Sequence, residues 1–281
     1  MIKNKIYIHF FIVLLIFFNC ILFVSCEKEN YNEKSYSYVI DDEIKYIDLE
    51  WNIGDINIVS GDKFLIEEVS INEKGIAPLK YSINNQRLIV NYNDSKKKIR
   101  ITLNKNKEYL DFNINSIVSN ISINQIELNY LNVNLKRGVT NITFSSINYV
   151  NINITCSKEW PITNISNNNF NAFYMTVQNV TEITFEKNKS KLCVINTLTG
   201  NIIYKKNQCE NINIKTIYGD VFFHLHQKNG YKIVSNSKKI YIDFETISYN
   251  KTYIIDNGKI NIICESLNGA INITRDFKWL I

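Results

Sequence analysis

The sequence predicts an all-β protein, a single-stranded β-solenoid with rungs of about 19–21 residues. Three observations predict it. Short β-favouring runs alternate apolar and polar residues, as strands with one buried face do. Those runs recur at a nearly constant spacing. No stretch carries the 3.6-residue period of an amphipathic helix, and with only two prolines and nine glycines in 281 residues, asparagine is left to make most of the turns.

At the N-terminus, Lys3 and Lys5 precede the apolar run IYIHFFIVLLIFFNCILFV from Ile6 to Val24. A short basic region followed by an apolar one reads as an export signal. The run closes in LFVSC, Leu22 to Cys26, and the polar EKENYNEKS follows at once. A small residue before a Cys at the end of a signal resembles the lipobox of bacterial lipoproteins, which implies Cys26 as the lipidated first residue of the mature chain. Phe23 stands where that pattern usually has Leu. The alternative is an uncleaved transmembrane anchor, because the 19-residue run approaches the roughly 20 needed to span a bilayer. In both cases the body is tethered to the cell envelope and faces the periplasm or the exterior. The expected divisions are a signal peptide at 1–26, a polar tether at 27–35, an N-terminal β-rich part of the solenoid at 36–130, and regular repeats with a C-terminal cap at 131–281.

Within 36–130, strand-like segments such as IKYIDLEWNIGDINIVSGD, FLIEEVSI, RLIVNY and KIRITLNK are joined by Asn, Gly and Asp turns. From Leu131 the pattern tightens. One set of runs (LNVNL, VNINIT, AFYMTV, LCVIN, INIKT, YKIVS, TYIID) centres on Val133, Ile152, Met175, Val194, Ile214, Ile233 and Ile254, 19 to 23 residues apart. A second set (TNITF, PITNI, TEITF, GNIIY, GDVFF, KKIYI, GKINI) centres on Ile142, Ile162, Ile183, Ile202, Val221, Ile240 and Ile260 at a similar spacing. A two-strand unit of this size cannot bury its apolar face alone, but stacked copies build one continuous core. A β-sandwich also has evenly spaced short strands, yet nothing in it requires one period to persist through seven cycles.

Composition narrows function. With 45% hydrophobic and 21% charged residues the chain has enough apolar matter for a core. The net charge of +5 comes from lysines interleaved with acids, so no nucleic-acid face is expected. Outside the signal and Cys26, Cys156, Cys193, Cys209 and Cys264 show neither a C-x-x-C pair nor a close His. Zinc spacing is therefore missing; disulfides and isolated buried thiols both stay open.

The one histidine pair lies in TIYGDVFFHLHQ, residues 216 to 227. An offset of 19 residues sets His224 over Asp243 and His226 over Glu245, with Val221, Phe223, Leu225, Ile240, Ile242 and Phe244 facing inward. Two imidazoles and two carboxylates in a square could hold a divalent metal. An open strand face neither excludes water nor preorganises ligands, so the expectation is an exposed charge ladder with no metal and no cofactor. Catalysis is not expected either. The doublets Asp41-Asp42 and Glu67-Glu68 split across opposite faces of a strand, and neither a Gly-x-Ser-x-Gly elbow nor a P-loop occurs.

The order of these segments resembles the bacterial putative-adhesin family of GIN-domain-like β-strand repeats. The resemblance rests on GDINI at 54–58, RLIVNY at 87–92, RITLNK at 100–105, TGNII at 199–203, YGDVF at 218–222 and NGAINI at 268–273. Asn104 stands where relatives often have Pro. The resemblance implies a β-solenoid without enzymatic activity. The expected function is an envelope-tethered, adhesin-like binding module with a glycan or protein ligand; the alternative is a structural or regulatory lipoprotein that binds a membrane partner. An outward stripe of Tyr and Asn would favour the binding module.

Overall fold

The computed structural model describes residues 34–40, 43–70, 79–92, 97–155, 163–225, 230–243, 245–247, 252–255 and 258–275. The predicted lipobox with Cys26, and also Cys156, Ile162, His226, Phe244 and the Asp41-Asp42 doublet, lie outside these residues. Among the described residues no helix is long and apolar enough to cross a membrane.

The strands run β1 Lys34–Val39, β2 Tyr46–Ile53, β3 Ile56–Gly61, β4 Leu65–Ser70, β5 Lys80–Asn84, β6 Arg87–Tyr92, β7 Lys97–Asn104, β8 Asp111–Asn124, β9 Glu127–Thr143 and β10 Ser146–Ile154. They continue as β11 Thr163–Ser166, β12 Asn169–Glu186, β13 Lys189–Lys205, β14 Gln208–Tyr218, β15 Val221–Leu225, β16 Tyr231–Ile242, β17 Glu245–Ile247, β18 Thr252–Ile255 and β19 Ile260–Arg275. A rung is either one long bent strand or a pair such as β10 and β11. Successive rungs pair in parallel, Asp111 with Tyr130, Glu127 with Ser146, Ser146 with Asn169, Asn169 with Lys189 and Lys189 with Gln208, so the predicted solenoid and its period are present.

Alternation delivers one residue in two to the interior. The column Ile58, Ile123, Ile142, Ile165, Phe185, Tyr204, Phe223 and Ile273 is at most 1% exposed throughout. Phe185, Tyr204 and Phe223 continue it as a ladder of rings 5.6 Å apart. Each such side chain is worth about 1.5–3 kcal/mol relative to exposure, and shape fit between rungs sets the register.

Two devices turn each rung. At the bend between its two halves stand Gly54, Gly138, Gly200, Gly219 and Gly269. Gly219 has φ +153, and a Cβ there would sit 2.1 Å from the Gly200 carbonyl oxygen, so no larger residue fits. That is the physical content of the Gly-Asp motif. Where one rung passes to the next, a residue in the left-handed region (Asn167, Lys187, Lys206) is followed by a buried asparagine (Asn168, Asn188, Asn207). The side chain of Asn188 donates to the Ile165 carbonyl at 2.8 Å, while its Oδ1 accepts from the backbone and the side-chain amide of Asn168 at 3.1 and 2.9 Å. Asn207 repeats the pattern toward Asn188 and Phe185. The ladder satisfies turn groups that would otherwise be buried unpaired.

Chain order and spatial order part at both ends. The rung β2–β3 lies between β6–β7 and β8. The last strand, β19, lies between β14–β15 and β16. The outermost rungs are then edged by antiparallel strands, β5 and β4 with β1 beyond it at one end, and β17 and β18 at the other. These short edge strands blunt a stack that would otherwise template further pairing. The expected register past Val221 is corrected accordingly: Val221 faces Ile271, and Ile240 faces Ile271 from the other side. Ile254, expected in the core, is 67% exposed on β18, and Ile260 pairs with Tyr231 at the start of β19.

Candidate ligand-binding face

On the outer surface of the first half of β9, β10, β13 and β14, alternation is interrupted once. After each buried Ile147, Ser190 and Cys209, two residues in succession point away from the core: Asn148-Tyr149, Lys191-Leu192 and Glu210-Asn211. The interruption stays in register from rung to rung, Ser190 with Cys209 and Leu192 with Asn211, so it turns the matching side chains outward on each. The same step explains why Ile195 fills the column assigned to Val194. Stacked rung on rung, these outward pairs form a ledge.

One end of the ledge is aromatic. Tyr130 and Tyr149 stack with centroids 4.8 Å apart and planes 12° from parallel, both remaining exposed, and the Tyr149 hydroxyl accepts from the Asn171 side chain at 3.2 Å. Beside them run amide ladders: Asn148 donates to Asn129, Asn151 to Asn132 and Asn134 to Asn115, each at 2.9 Å. Asn115 in turn donates to Glu50 at 2.7 Å. These pairings hold the amides in a fixed orientation. Beyond Tyr149 the ledge opens into a groove of about 850 Å³ crossing β10, β12, β13 and β14. Ile147, Phe170 and Cys209 form its floor; Asn148, Asn171, Lys189, Lys191, Lys206 and Glu210 stand along it.

The predicted histidine ladder has a different outcome. Because β19 is inserted, His224 neighbours Thr274, with Nδ1 3.2 Å from its hydroxyl. Asp243 is a further rung away and is bound by Arg275, whose Nε donates at 2.5 Å and whose Nη2 also reaches the carboxylate. The backbone of Glu245 pairs with Ile242 on the edge; its side chain lies outside the description. The two described members thus sit on rungs separated by β19. Among the described residues no group of three His, Cys, Asp and Glu converges on one point. The doublet Glu67-Glu68 does split as expected: Glu67 faces Arg100 at 3.8 Å on the outside, whereas Glu68 points inward.

Cys193, Cys209 and Cys264 are free, buried thiols, and burial pushes each thiol up from its ordinary pKa. Such thiols are poor nucleophiles and poor ligands. The groove lysines carry no local motif; the stacking that gathers them shows only after Lys189-Ser190-Lys191 is laid beside Gln208-Cys209-Glu210.

The Toastrack family model, DUF4097, matches residues 52–273. No curated protein matches the chain in sequence. Among solved structures, the putative adhesin of Parabacteroides distasonis ATCC 8503 is 10% identical and covers 88% of this chain and 98% of its own, with a TM-score of 0.51. The putative adhesin of Parabacteroides merdae ATCC 43184 gives 12%, 88%, 98% and 0.51. At this identity the likeness establishes the fold.

Proposed function

Since the chain belongs to the Toastrack DUF4097 family, we propose that it is a non-enzymatic binding module, tethered to the cell envelope through Cys26, with the ledge as its binding face. The observation that carries the reading is the ledge itself. Tyr130 and Tyr149 remain exposed in a stack, next to amides already oriented by their own ladder. Rigid aromatic area beside fixed donors and acceptors costs little entropy to immobilise, which suits recognition. The names of the two Parabacteroides proteins are in keeping with that role. The test is display of the full-length chain against glycan and matrix-protein arrays, comparing it with Tyr130→Ala/Tyr149→Ala. Ligand capture lost in the variant supports the module. Cross-linking to one envelope protein, with no array ligand captured, replaces it with the structural or regulatory alternative.

A further inference from the structure

We propose that the groove across β10, β12, β13 and β14 binds an acidic polysaccharide, one whose repeating sugar carries a carboxylate. The proposal rests on the binding-module reading and adds the chemical class of the ligand. The groove wall is periodic. One column holds Ser146, Asn169, Lys189 and Gln208, and its neighbour two residues along holds Asn148, Asn171, Lys191 and Glu210. Rungs stack about 4.8 Å apart, close to the length of one sugar in an extended chain. A polymer lying along the stack therefore meets a similar pair of polar side chains at each unit. Asparagine and glutamine amides both donate and accept, matching hydroxyls that do the same. The exposed Tyr149 ring at the groove's end, tied to Asn171, offers a flat apolar surface to the C–H face of a sugar.

Charge selects among sugars. Lys189, Lys191 and Lys206 face one carboxylate, Glu210, a local excess of 3 − 1 = +2. None of the three is engaged in an ion pair among the described residues, whereas the adjacent Lys187 and Lys205 both reach Glu186, at 3.5 and 3.6 Å. Three lysine charges without an acid partner favour an anionic ligand. Nucleic acid fits less well, because its dense phosphate track calls for more positive charge than this, and no arginine is among the described residues that line the groove.

The experiment is titration calorimetry on the full-length chain in mild detergent, with polygalacturonate, with the same polymer fully methyl-esterified, and with single-stranded DNA of equal charge. Polygalacturonate should bind, and Lys189→Gln/Lys191→Gln/Lys206→Gln should weaken it about tenfold, a loss that shrinks at high salt because exposed ion pairs are screened. Tyr149→Ala should weaken the charged and the esterified polymer alike. Equal binding of the esterified polymer, untouched by the lysine changes, would overturn the acidic class while leaving a glycan-binding module. DNA binding as tight as polygalacturonate would show that charge alone is read, against the proposal. If no polymer binds while a protein ligand is captured on the arrays, the groove proposal falls and the module stands; if nothing is captured by either route, both fall.

Discussion

Lys97 Nζ lies 3.1 Å from Glu68 Oε2, and neither side chain exposes any surface to solvent. The other carboxylate oxygen accepts from the Leu79 backbone at 3.0 Å and from the Tyr38 hydroxyl at 3.3 Å, while the ammonium sits 4.3 Å above the Tyr92 ring. One carboxylate thus joins β1, β4, β7 and the segment leading into β5. Glu68→Gln leaves the Lys97 charge buried without its counter-ion and should cost about 3–5 kcal/mol of unfolding free energy. Glu68→Leu/Lys97→Met removes both charges and should cost far less than the sum of the single changes. Urea unfolding of the four proteins measures the difference.

The inward column sets a second expectation. Ile202, Val221 and Ile240 are 0%, 0% and 1% exposed. Aspartate at any of them buries a charge and should cost several kcal/mol, about 3 or more. Tyr241, pointing outward beside Ile240, should tolerate the same change with a loss under about 1 kcal/mol. Equal falls in melting temperature at Tyr241 and Ile240 would contradict the register.

Asn188 in the turn ladder is 1% exposed and serves Ile165, Asn168 and Asn207. Asn188→Ala removes the side-chain donor to the Ile165 carbonyl and the acceptor of the Asn168 backbone N–H, while the Asn168 side-chain amide keeps only its bond to the Ile142 carbonyl. The expected loss is about 2–4 kcal/mol, read by chemical denaturation, against little change for the exposed Asn151→Ala.

For the buried thiols the sign follows from proton counting. Cys193 and Cys264 titrate higher in the folded chain than in the unfolded one, since burial disfavours the thiolate. Their contribution is complete below the unfolded thiol pKa of about 8.5 and is lost as pH rises beyond it, because the unfolded chain releases the protons first. Stability measured by urea midpoint should therefore fall above about pH 8.5, and the fall should be shallower in Cys264→Val.

The lipid anchor predicts that Cys26→Ala leaves an unprocessed chain without the acyl mass. Mass spectrometry of the membrane fraction reads it directly; an intact Met1 on the unmutated protein would point instead to the transmembrane anchor.

Strand class, period and the inward side of most strands were legible because they depend on neighbours in sequence. Phe223 and Leu225 alternate with His224 wherever that strand is placed. What lies beside it was not legible. Ile212 and Ile214 stack equally well on Ile233 and Ser235 of β16 or on Ile262 and Cys264 of β19, and alternation cannot choose between them. The ladder of His224 over Asp243 failed for that reason alone. The groove was hidden differently, because a break in alternation after Lys191 and Glu210 shifts parity by one residue, so counting back from the buried Cys193 and Ile212 would turn both inward.

The exchange of order at both ends bears on how the molecule is made and altered. During synthesis the β2–β3 rung, first to emerge, cannot complete its ladders until β6–β7 and β8 have followed. The slot between β14–β15 and β16 stays unfilled until residue 275 is complete. Such long-range closure slows folding. It also means that a nascent chain stopped before β19 leaves a gap inside the stack, where a simple spiral would merely be shorter. Gene duplication meets the same limit: copies of β9 to β13 could lengthen the body, whereas added copies of either terminal unit would have no place to enter.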